Sequence, residues 1–338
     1  MADVLRWGII GCGDVVQHKS GPSILQAGRS RIVAVMRRNA EKAQEYAEKN
    51  SIRSWTTDPS EVIRNPEVDI VYVATPPNAH LEYVLAAADA GKHVLVEKPM
   101  GLSTEQGQKM VSACESAGVS LFVAYYRRFH PHVQKMRELI RTNRIGTPVQ
   151  AFIDMAADVS SWGKSWKETP KISGGGYFVD LVSHRIDAAT FLLGSVKEVY
   201  GVTTTFHPEK HVEETASVCL KFASGTQCVV TGDFHSGRAA DRFVISGTCG
   251  TLTADPLDGH AFSLHTDEGM EDFTFEKYPA PHLGLIRHIE QVCAGSAENE
   301  SSGMHGLETE RVLDTTVRCK VQSAMQANIP LQKETGHA

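Results

Sequence analysis

The sequence lacks the features that mark a membrane or nucleic-acid-binding protein. No apolar run approaches the roughly 20 residues that a helix needs to span a bilayer. The first predicted strand begins almost at Met1, so we expect no signal peptide. The net charge is −6 and no block of like charges occurs, which argues against nucleic acid or a membrane surface as the main partner. We therefore expect a cytoplasmic protein.

Paired cysteines are also missing. The seven cysteines are scattered without a Cys-x-x-Cys pair, which argues against a zinc site or a redox motif. We expect reduced thiols and predict no metal site. The chain has 338 residues, more than one typical hydrophobic core holds, so two domains are expected.

What the sequence does contain, at its start, is an apolar strand at 6–10 that runs into a Gly-x-Gly turn and a helix. Glycine lets the backbone pass close to a pyrophosphate, and the unpaired N–H groups of a helix N-terminus point at it. Glycine turns also close ordinary loops, and Val16 stands where a third glycine or alanine would be. The strand–turn–helix context favours dinucleotide binding. The candidate cofactor-binding residues here are Gly11, Cys12, Gly13, Asp14 and Val15.

Residues 6–125 alternate strand and helix. The predicted strands are 6–10, 31–36, 69–74, 93–96 and 120–124, and the predicted helices are 14–27, 39–50, 78–91 and 103–117. Plausible helix caps are Asp14, Asn39, Asn78 and Ser103. Short continuous apolar runs are typical of strands buried on both faces of a parallel sheet. The pattern predicts an α/β fold with a doubly wound, Rossmann-type dinucleotide-binding domain over 1–125.

After about residue 145 the pattern changes. Strands are predicted at 148–159, 197–206, 213–222, 226–235, 241–247, 261–266 and 271–276, with helices at 177–193, 283–294 and 306–327. We predict an α+β substrate-binding domain over 126–338, built on a large, open, mainly antiparallel sheet. Its C-terminal helix is in a position to pack back on the first domain. An open sheet face must be covered, most simply by another subunit, so a homodimer or homotetramer is expected.

The end of strand 31–36 bears on the choice of cofactor. An acidic residue at this position accepts hydrogen bonds from the ribose of NAD and repels a 2′-phosphate. Here Arg37 and Arg38 follow instead, and guanidinium groups bind phosphate with a planar fork of donors. NADP is therefore favoured, with NAD as the alternative. In a purely structural interpretation the arginines are solvated and Asn39 only caps the next helix.

Two later strand ends carry further candidates, because strand carboxyl ends line the binding crevice of an open α/β sheet. After strand 69–74, two prolines stiffen a loop whose cofactor-binding candidates are Thr75, Pro76, Pro77, Asn78 and His80. After strand 93–96 come Glu97 and Lys98, a pair that is costly to bury without purpose. Lys98 would donate to a substrate oxygen, and Pro99 is in a setting where a cis peptide bond occurs. A surface ion pair is the alternative.

Three motifs occur in an order and spacing that resemble one family. They are Gly-Ile-Ile-Gly-Cys-Gly at 8–13, Ala-Thr-Pro-Pro-Asn-Ala-His at 74–80 and Glu-Lys-Pro at 97–99. Over about residues 5–327 the chain resembles the glucose–fructose oxidoreductase/inositol dehydrogenase (Gfo/Idh/MocA) family. The resemblance implies a Rossmann domain, a second α/β domain with an open sheet, and nicotinamide-dependent redox chemistry on sugars, polyols or cyclic diols.

A second constellation lies in the helix predicted at 177–193. Asp180 and His184 are four residues apart, so they share one face of a regular helix. An imidazole beside a carboxylate suits proton transfer with an alcohol, although a surface ion pair fits as well. The resemblance places the acid/base carboxylate and histidine of the family at these two positions. His184 would exchange the hydroxyl proton, Asp180 would orient the substrate or His184, and Lys98 would stabilise the alkoxide. The sequence leaves the first two roles interchangeable.

Two more segments hold candidates. Relatives commonly have asparagine where Tyr126 stands, so Tyr126 is predicted to shape the substrate pocket and Arg127 to reach the cofactor or the substrate. An aromatic–cationic helix cap is the alternative for this segment. In a polar loop, Trp162 would stack on a sugar ring. Similar reductases place a Trp-Arg pair against the cofactor, and Trp166 and Lys167 have the better spacing for that role.

Three functions are compatible with these residues. The leading one is an NADP-preferring dehydrogenase or reductase of a sugar, sugar derivative or cyclic diol. A glycosidase that retains NAD is the second, and the end of strand 31–36 argues against it. A non-catalytic dinucleotide sensor is the third. It has no need of the complete set Lys98, Asp180 and His184.

Overall fold

The computed structural model describes residues 4–162, 165–207, 209 and 211–317. They form two sheets, one parallel and one mainly antiparallel, which confirms the predicted fold class. In the described part of the chain, no helix combines the length and the apolar character that crossing a bilayer requires.

The first sheet has six parallel strands in the order β3-β2-β1-β4-β5-β6. They are β1 (Leu5–Ile10), β2 (Ser30–Met36), β3 (Ser54–Thr56), β4 (Ile70–Val73), β5 (His93–Val96) and β6 (Leu121–Val123). Strand β3 was not predicted, because three residues are too few to show an apolar run. The strand order reverses at β1, so a crevice opens between the carboxyl ends of β1 and β4, where dinucleotides bind in such sheets.

Five helices connect these strands: α1 (Gly21–Gln26), α2 (Ala40–Lys49), α3 (Pro59–Ile63), α4 (His80–Asp89) and α5 (Thr104–Ser116). A π-helical segment, Val16–Ser20, leads into α1, and a 3₁₀ turn, Pro77–Ala79, leads into α4. The short α3 was not predicted. The predicted caps Asn39 and Ser103 each accept a hydrogen bond from a backbone N–H of the first turn.

Two predicted caps differ from expectation. Asp14 lies inside the first helix and contacts His18 one turn later, at 3.0 Å, instead of capping. Asn78 lies within the 3₁₀ turn, where Pro76 and Ala79 occupy the cap positions of the turn and of α4. In both places the chain enters its helix through an irregular turn that the regular capping pattern does not anticipate.

The second sheet has eight strands in the order β14-β13-β12-β11-β7-β10-β9-β8. They are β7 (Pro148–Ala156), β8 (Val196–Thr204), β9 (Thr215–Phe222), β10 (Gln227–Asp233), β11 (Ala240–Gly247), β12 (Gly250–Ala254), β13 (Ala261–Thr266) and β14 (Gly269–Thr274). All pairs are antiparallel except β7 with β10. Strand β12 was not predicted. It follows β11 after a connection of two residues, so the two strands merge in the sequence pattern.

The helices of this half are α6 (Pro131–Arg141), α7 (Pro170–Ser173), α8 (Ser183–Leu193), α9 (Leu283–Cys293) and α10 (Gly303–Val317). Helix α8 is buried along its whole length, and α10 packs on α8, β8 and α5. Gly303 and Gly306 allow the close approach to the first sheet, since a Cβ there would meet Leu121 at 2.6 Å and Val123 at 2.5 Å. The predicted C-terminal helix extends to 327, and its part from 318 onward lies outside the described residues.

One face of the second sheet carries the core and the other is open. Along β9 and β10, buried residues alternate with exposed or half-buried ones, as in a sheet covered on one side only. On the open face Phe152 is 43% exposed and pairs with Val229 on one side and Val244 on the other. These three residues form an apolar strip across the middle of the face.

Candidate active site

The turn after β1 has room for a phosphate because glycine occupies its first position. Gly11 has φ +94°, and a Cβ there would lie 2.8 Å from the backbone oxygen of Ala74. The Gly11 N–H donates to the carbonyl of Met36 at 2.9 Å, which fixes the turn against the end of β2. The helix that follows begins at Asp14, so its first N–H groups lie next to the turn. This cradle fits the pyrophosphate of a dinucleotide.

A cavity of about 510 Å³ lies at the carboxyl ends of β1, β2 and β4. The predicted cofactor-binding residues that line it are Gly11, Gly13, Arg37, Arg38, Thr75, Pro76, Asn78 and Trp166. Residues outside that prediction also line it: Met36, Asn39, Ala74, Ala79, Tyr83 and Ile172. Tyr83 lies four residues after Ala79, so their common helix face is a sequence signal that could have found it. No comparable signal marks Ile172.

The two arginines after β2 take different positions on the cavity wall. Arg37 Nη1 donates to the backbone oxygen of Cys12 at 3.2 Å, which ties Arg37 to the glycine turn. Arg38 is exposed and lies near the Tyr83 phenol. Burial raises the pKa of that phenol, and the charge of Arg38 partly opposes the shift. Arg38 is thus the guanidinium of this wall that stands open to solvent and to a ligand.

The other predicted cofactor-binding residues do not line this cavity: Cys12, Asp14, Val15, Pro77, His80, Glu97, Lys98, Arg127 and Lys167. Cys12 is fully buried, and the Asp14 side chain is almost fully exposed beside His18. The remaining polar side chains each bind a specific group of the protein. They are His80, Glu97, Lys98, Arg127 and Lys167, and their contacts form a second site next to the cavity.

His80 joins the two strand-end loops. Its Nε2 lies 2.7 Å from the carbonyl of Thr75 and its Nδ1 lies 3.1 Å from the carbonyl of Pro99, and the ring is fully buried. The Lys98–Pro99 peptide bond is cis, as the sequence analysis anticipated. His80 therefore holds the wall of the cofactor cavity and the segment that carries Lys98 in a fixed relation.

Glu97 anchors the segment from the opposite side. The hydroxyl of Tyr72 donates to Glu97 Oε1 at 2.5 Å, and the Lys98 N–H donates to Glu97 Oε2 at 3.2 Å. Burial raises the pKa of the Glu97 carboxyl, although Tyr72 and Lys98 oppose part of the shift. Glu97 points into the sheet, so Lys98, the next residue, points towards the second domain.

Lys98 and Lys167 hold Asp180 between them. Lys98 Nζ donates to Asp180 Oδ1 at 2.6 Å and to the Asp180 carbonyl at 2.7 Å. Lys167 Nζ donates to Asp180 Oδ2 at 2.6 Å. The three residues come from the end of β5, a loop and the start of a helix, and the side chains of Lys98 and Asp180 are largely buried. Lys167, predicted to reach the cofactor, thus binds the carboxylate next to its cavity.

The electrostatics of this cluster keep Asp180 ionised. Burial acts to raise the pKa of the Asp180 carboxyl, but the charges of Lys98 and Lys167 outweigh it and hold that pKa well below its usual range. Burial lowers the pKa of the Lys98 ammonium, and Asp180 opposes part of the shift. An ammonium has three N–H donors, and Asp180 engages two of those on Lys98. One donor remains for another oxygen.

The expected pairing of Asp180 with His184 does not occur. Residues Phe178–Val182 form a π-helical segment, which has more residues per turn than an α-helix. The interval of four residues that aligns side chains on an α-helix therefore no longer does so. Within the described chain, neither ring nitrogen of His184 has a hydrogen-bond partner, and Nδ1 is fully buried. The sequence predicted a regular helix here, so it did not predict this change of register.

Aromatic rings surround His184. Tyr125 and Tyr126 meet it edge-on, with ring centroids 5.8 and 5.1 Å away. Tyr126 also lies 4.4 Å from the ring of His282. Burial lowers the pKa of the His184 imidazole well below its usual value, and the charges of Arg127 and Lys98 lower it further. His184 is accordingly a neutral imidazole in an apolar pocket, with Tyr126 as one wall.

Arg127 lies beneath this wall and not on the cofactor cavity. It binds Asp258 through Nε and Nη2, the latter at 2.6 Å, and its guanidinium lies 4.9 Å from the centre of the Tyr126 ring. Arg185 shares Asp258 at 2.8 Å and also binds Asp241. Asp241 lies on β11 and Asp258 in the connection between β12 and β13, and neither was predicted. Nothing in the local sequence distinguishes them from other loop carboxylates.

The loop before the helix brings two predicted residues to different places. Trp166 lines the cofactor cavity, whereas Trp162 lies edge-on to Tyr177, with ring centroids 5.5 Å apart. Two residues between them, Gly163 and Lys164, are outside the described part of the chain.

Comparison with known proteins places this geometry in a family. Residues 5–125 match the model of an oxidoreductase family with an NAD-binding Rossmann fold, named GFO_IDH_MocA. Residues 133–253 match the GFO/IDH/MocA C-terminal domain.

Individual relatives extend over most of the chain. Oxidoreductase P35 of Formosa agariphila is 35% identical over 75% of this chain and 80% of its own length. A 1,5-anhydro-D-fructose reductase of Ensifer adhaerens is 32% identical over 73% of this chain and 74% of its own. An aldose-aldose oxidoreductase of Caulobacter crescentus, solved with glycerol, superposes with a TM-score of 0.83 at 25% identity over 92% of this chain and 96% of its own.

Proposed function

The chain belongs to the Gfo/Idh/MocA oxidoreductase family, and from that premise we propose that it is an NADP-preferring dehydrogenase or reductase of a sugar, sugar derivative or cyclic diol. Its relatives include a reductase of 1,5-anhydro-D-fructose and an aldose-aldose oxidoreductase. The observation that carries the proposal is the ammonium of Lys98. It lies beside the cofactor cavity, held by Asp180 and with one N–H donor left over.

The dinucleotide, when bound, supplies or accepts the hydride at a carbinol carbon. In the proposed mechanism Lys98 directs its third donor at the substrate oxygen and stabilises the charge that develops there, in a largely buried setting where such stabilisation is strong. Asp180 is a positioning residue, because both its oxygens engage lysines and it lacks a contact with His184 in the described structure. Lys98 is therefore held in place before the substrate arrives.

His184 is the proposed partner for the hydroxyl proton. Its pKa is lowered, so the imidazole is neutral at physiological pH and is able to accept a proton or a hydrogen bond. Nδ1 is fully buried, so Nε2, which has no hydrogen-bond partner within the described residues, is the nitrogen proposed to meet the substrate. Tyr126 shapes this pocket by covering one side of the imidazole.

The preference for NADP rests on the end of β2. Arg37 is tied to the glycine turn, and Arg38 is exposed on the wall of the cavity without a carboxylate beside it in the local sequence. A 2′-phosphate would lie against these guanidinium groups, whereas the ribose hydroxyl of NAD would find no acidic acceptor there.

The first experiment follows nicotinamide absorbance with NADPH or NADH and a panel of keto-sugars, and with NADP or NAD and a panel of sugars and cyclic diols. We expect turnover with a carbohydrate substrate, faster with NADP(H). Lys98→Met should lower kcat about 10²- to 10³-fold, the effect of removing one donor to a developing oxyanion. The affinity for the dinucleotide, measured by fluorescence titration, should stay within a few-fold.

The outcomes separate the parts of the proposal. Arg38→Ala should weaken NADPH binding and leave NADH binding unchanged, and a wild-type preference for NADH would refute the cofactor choice alone. Tight dinucleotide binding without turnover on any member of the panel would refute the dehydrogenase and favour a glycosidase that retains its cofactor, or a sensor.

We also propose that residues 1–125 and 126–338 are the two domains, and that the chain forms a homodimer or homotetramer through the open face of the second sheet. The apolar strip of exposed Phe152 and half-buried Val229 and Val244 supports this, since contiguous apolar surface on a sheet usually marks an interface. The cytoplasm is the proposed location, and the six cysteines within the described residues are all free. Sedimentation of Phe152→Lys tests the interface.

A further inference from the structure

A buried hydroxyl without a partner lies one helical turn before Asp180. The Tyr177 side chain is only 3% exposed, and its hydroxyl has no hydrogen-bond partner within the described residues. Burying an O–H group without a partner costs free energy, so native proteins rarely leave one in this state unless another molecule completes it.

The direction of Tyr177 is fixed by the glycine turn before it. A Cβ on Gly176 would meet Val212 at 2.8 Å, so the turn packs tightly against the approach to β9. The Gly176 N–H donates to the buried carboxylate of Glu213 at 2.7 Å. The ring of Tyr177 is therefore placed by backbone packing, and its hydroxyl contributes nothing to that placement.

The charges around the hydroxyl locate it next to the site. Burial raises the pKa of the Tyr177 phenol, and the carboxylates of Glu168 and Asp180 raise it further. Glu168 belongs to the same short turn as Lys167, which binds Asp180. Tyr177 immediately precedes the segment Phe178–Val182 that carries Asp180, so its ring belongs to the same part of the site, and its hydroxyl is not bonded to the Lys98–Asp180 pair.

The exposed indole of Trp162 lies on the solvent side of the Tyr177 ring. Trp162 meets the ring of Tyr177 edge-on at an interplanar angle of 84°, and 48% of Trp162 is exposed. Phe234 packs on the other side of Tyr177, with centroids 6.1 Å apart. Nearly half of the indole is exposed, and exposed aromatic rings stack on the C–H surface of sugar rings.

We propose that Tyr177 and Trp162 form a recognition subsite for a polyhydroxylated ring, in which the Tyr177 hydroxyl donates to one substrate hydroxyl and the Trp162 indole stacks on the ring. A sugar hydroxyl both accepts and donates, so it satisfies the buried phenol and keeps its own O–H for another acceptor. The subsite rests on the proposed function and specifies its substrate class. It favours a ring with several hydroxyl groups over a cyclic diol with only two.

The decisive variant is Tyr177→Phe, which keeps the ring packed between Trp162 and Phe234 and removes only the hydroxyl. We expect KM for the carbohydrate to rise about 10-fold, the effect of one lost hydrogen bond, with kcat changed less than about 3-fold. The dinucleotide Kd should match the wild type, and the Tm should be equal or higher because the variant no longer buries an unpaired hydroxyl. An unchanged KM would overturn the role of Tyr177.

Deoxygenated substrates identify the hydroxyl that Tyr177 binds. Each hydroxyl of the best substrate is removed in turn and kcat/KM is measured with wild-type enzyme and with Tyr177→Phe. For one position the loss seen with the wild type should be absent in the variant, because the bond is already gone. Equal losses in both enzymes at every position would overturn the proposal.

The indole is tested separately by Trp162→Leu, with Trp55→Leu as the matched control. Trp55 is also a part-exposed tryptophan (39%), but it lies on β3 at the far edge of the first sheet. Only Trp162→Leu should raise KM, and equal values for the two variants would remove Trp162 from the subsite. If Tyr177→Phe and Trp162→Leu turn over substrate with wild-type KM values, the subsite alone is refuted. If the wild-type enzyme shows no turnover at all, the proposed function is refuted.

Discussion

The cofactor cavity and the Lys98–Asp180 site adjoin each other but are built in different ways. The cavity is formed largely by backbone at strand ends, where a glycine turn and two short loops leave space. The neighbouring site is formed by side chains that meet from far apart. Lys98 and Asp180 are 82 residues apart in the sequence, and Lys167 and Asp180 come from separate short elements.

This difference determines what a substitution does at each place. In the cavity, the shape of the backbone is the binding determinant, so a methyl group in the wrong position is harmful and most side chains are secondary. In the site, the charges of the side chains are the determinant.

Gly11→Ala should have the largest effect, because its Cβ would collide with a backbone atom that is unable to move aside. The contact with the Ala74 carbonyl at 2.8 Å, together with φ +94°, makes the native turn inaccessible to alanine. A penalty of about 3 kcal/mol corresponds to a rise in dinucleotide Kd of roughly 100-fold. Fluorescence titration with NADPH measures it.

The control for backbone strain is Gly28→Ala. Gly28 has a similar φ of +97°, and a Cβ there would meet nothing within 4 Å. We expect a small loss in Tm and an unchanged dinucleotide Kd. If both variants bound the dinucleotide like the wild type, a backbone-determined cavity would be disproved.

Lys167→Met should change the pH dependence of the reaction. Lys167 and Lys98 hold the pKa of Asp180 below its usual range, so Asp180 stays ionised as the pH falls. Removing one positive charge raises that pKa, and Asp180 then takes up a proton at a higher pH and releases Lys98. The acid limb of the kcat/KM profile should therefore move upward, which lowers the rate near about pH 5 more than at neutral pH.

Lys171→Met is the matched control for this shift. Lys171 lies on α7 in the same connecting segment, is exposed, and forms no ion pair with Asp180. Its variant should keep the wild-type profile. A profile for Lys167→Met that coincides with that of Lys171→Met would show that Lys167 does not support Asp180 in solution.

The smallest effect concerns two helix caps that differ only in location. Asn39 caps α2 and lines the cofactor cavity, whereas Ser103 caps α5 and lies outside the lining. Replacing either by alanine should cost about 1 kcal/mol of unfolding free energy, measured in urea. Only Asn39→Ala should also weaken dinucleotide binding, and equal binding by both variants would remove Asn39 from the site.

The same contrast explains how much the sequence could predict. The parallel sheet, the glycine turn and the loop at 74–80 are local patterns, because each strand and each turn is specified by adjacent residues. These predictions identified Gly11, Arg38 and Thr75, which all line the same cavity. Short elements such as β3 and α3 escaped because they hold too few residues to show a period.

For the Lys98–Asp180 site, the sequence predicted which residues take part but not which of them contact one another. Lys98, Asp180 and His184 were identified from their residue types and from the resemblance, but the pairing of Asp180 with Lys167 depends on how a loop folds over a helix. The π-helical segment shifted His184 away from its expected partner, and no periodicity in the sequence signals such a segment. Asp258 and Tyr177 depend on tertiary packing alone.

One short turn, Trp166–Glu168, links the cofactor cavity to Asp180, and this link bears on the order in which ligands bind. Trp166 lines the cofactor cavity, and the adjacent Lys167 binds Asp180. On the proposed function, a dinucleotide that fills the cavity sets the position of Trp166, and with it the position of Lys167, before the substrate meets Lys98. We therefore expect a compulsory order of addition, in which the dinucleotide enters first and leaves last, so that its two redox forms compete for the free enzyme.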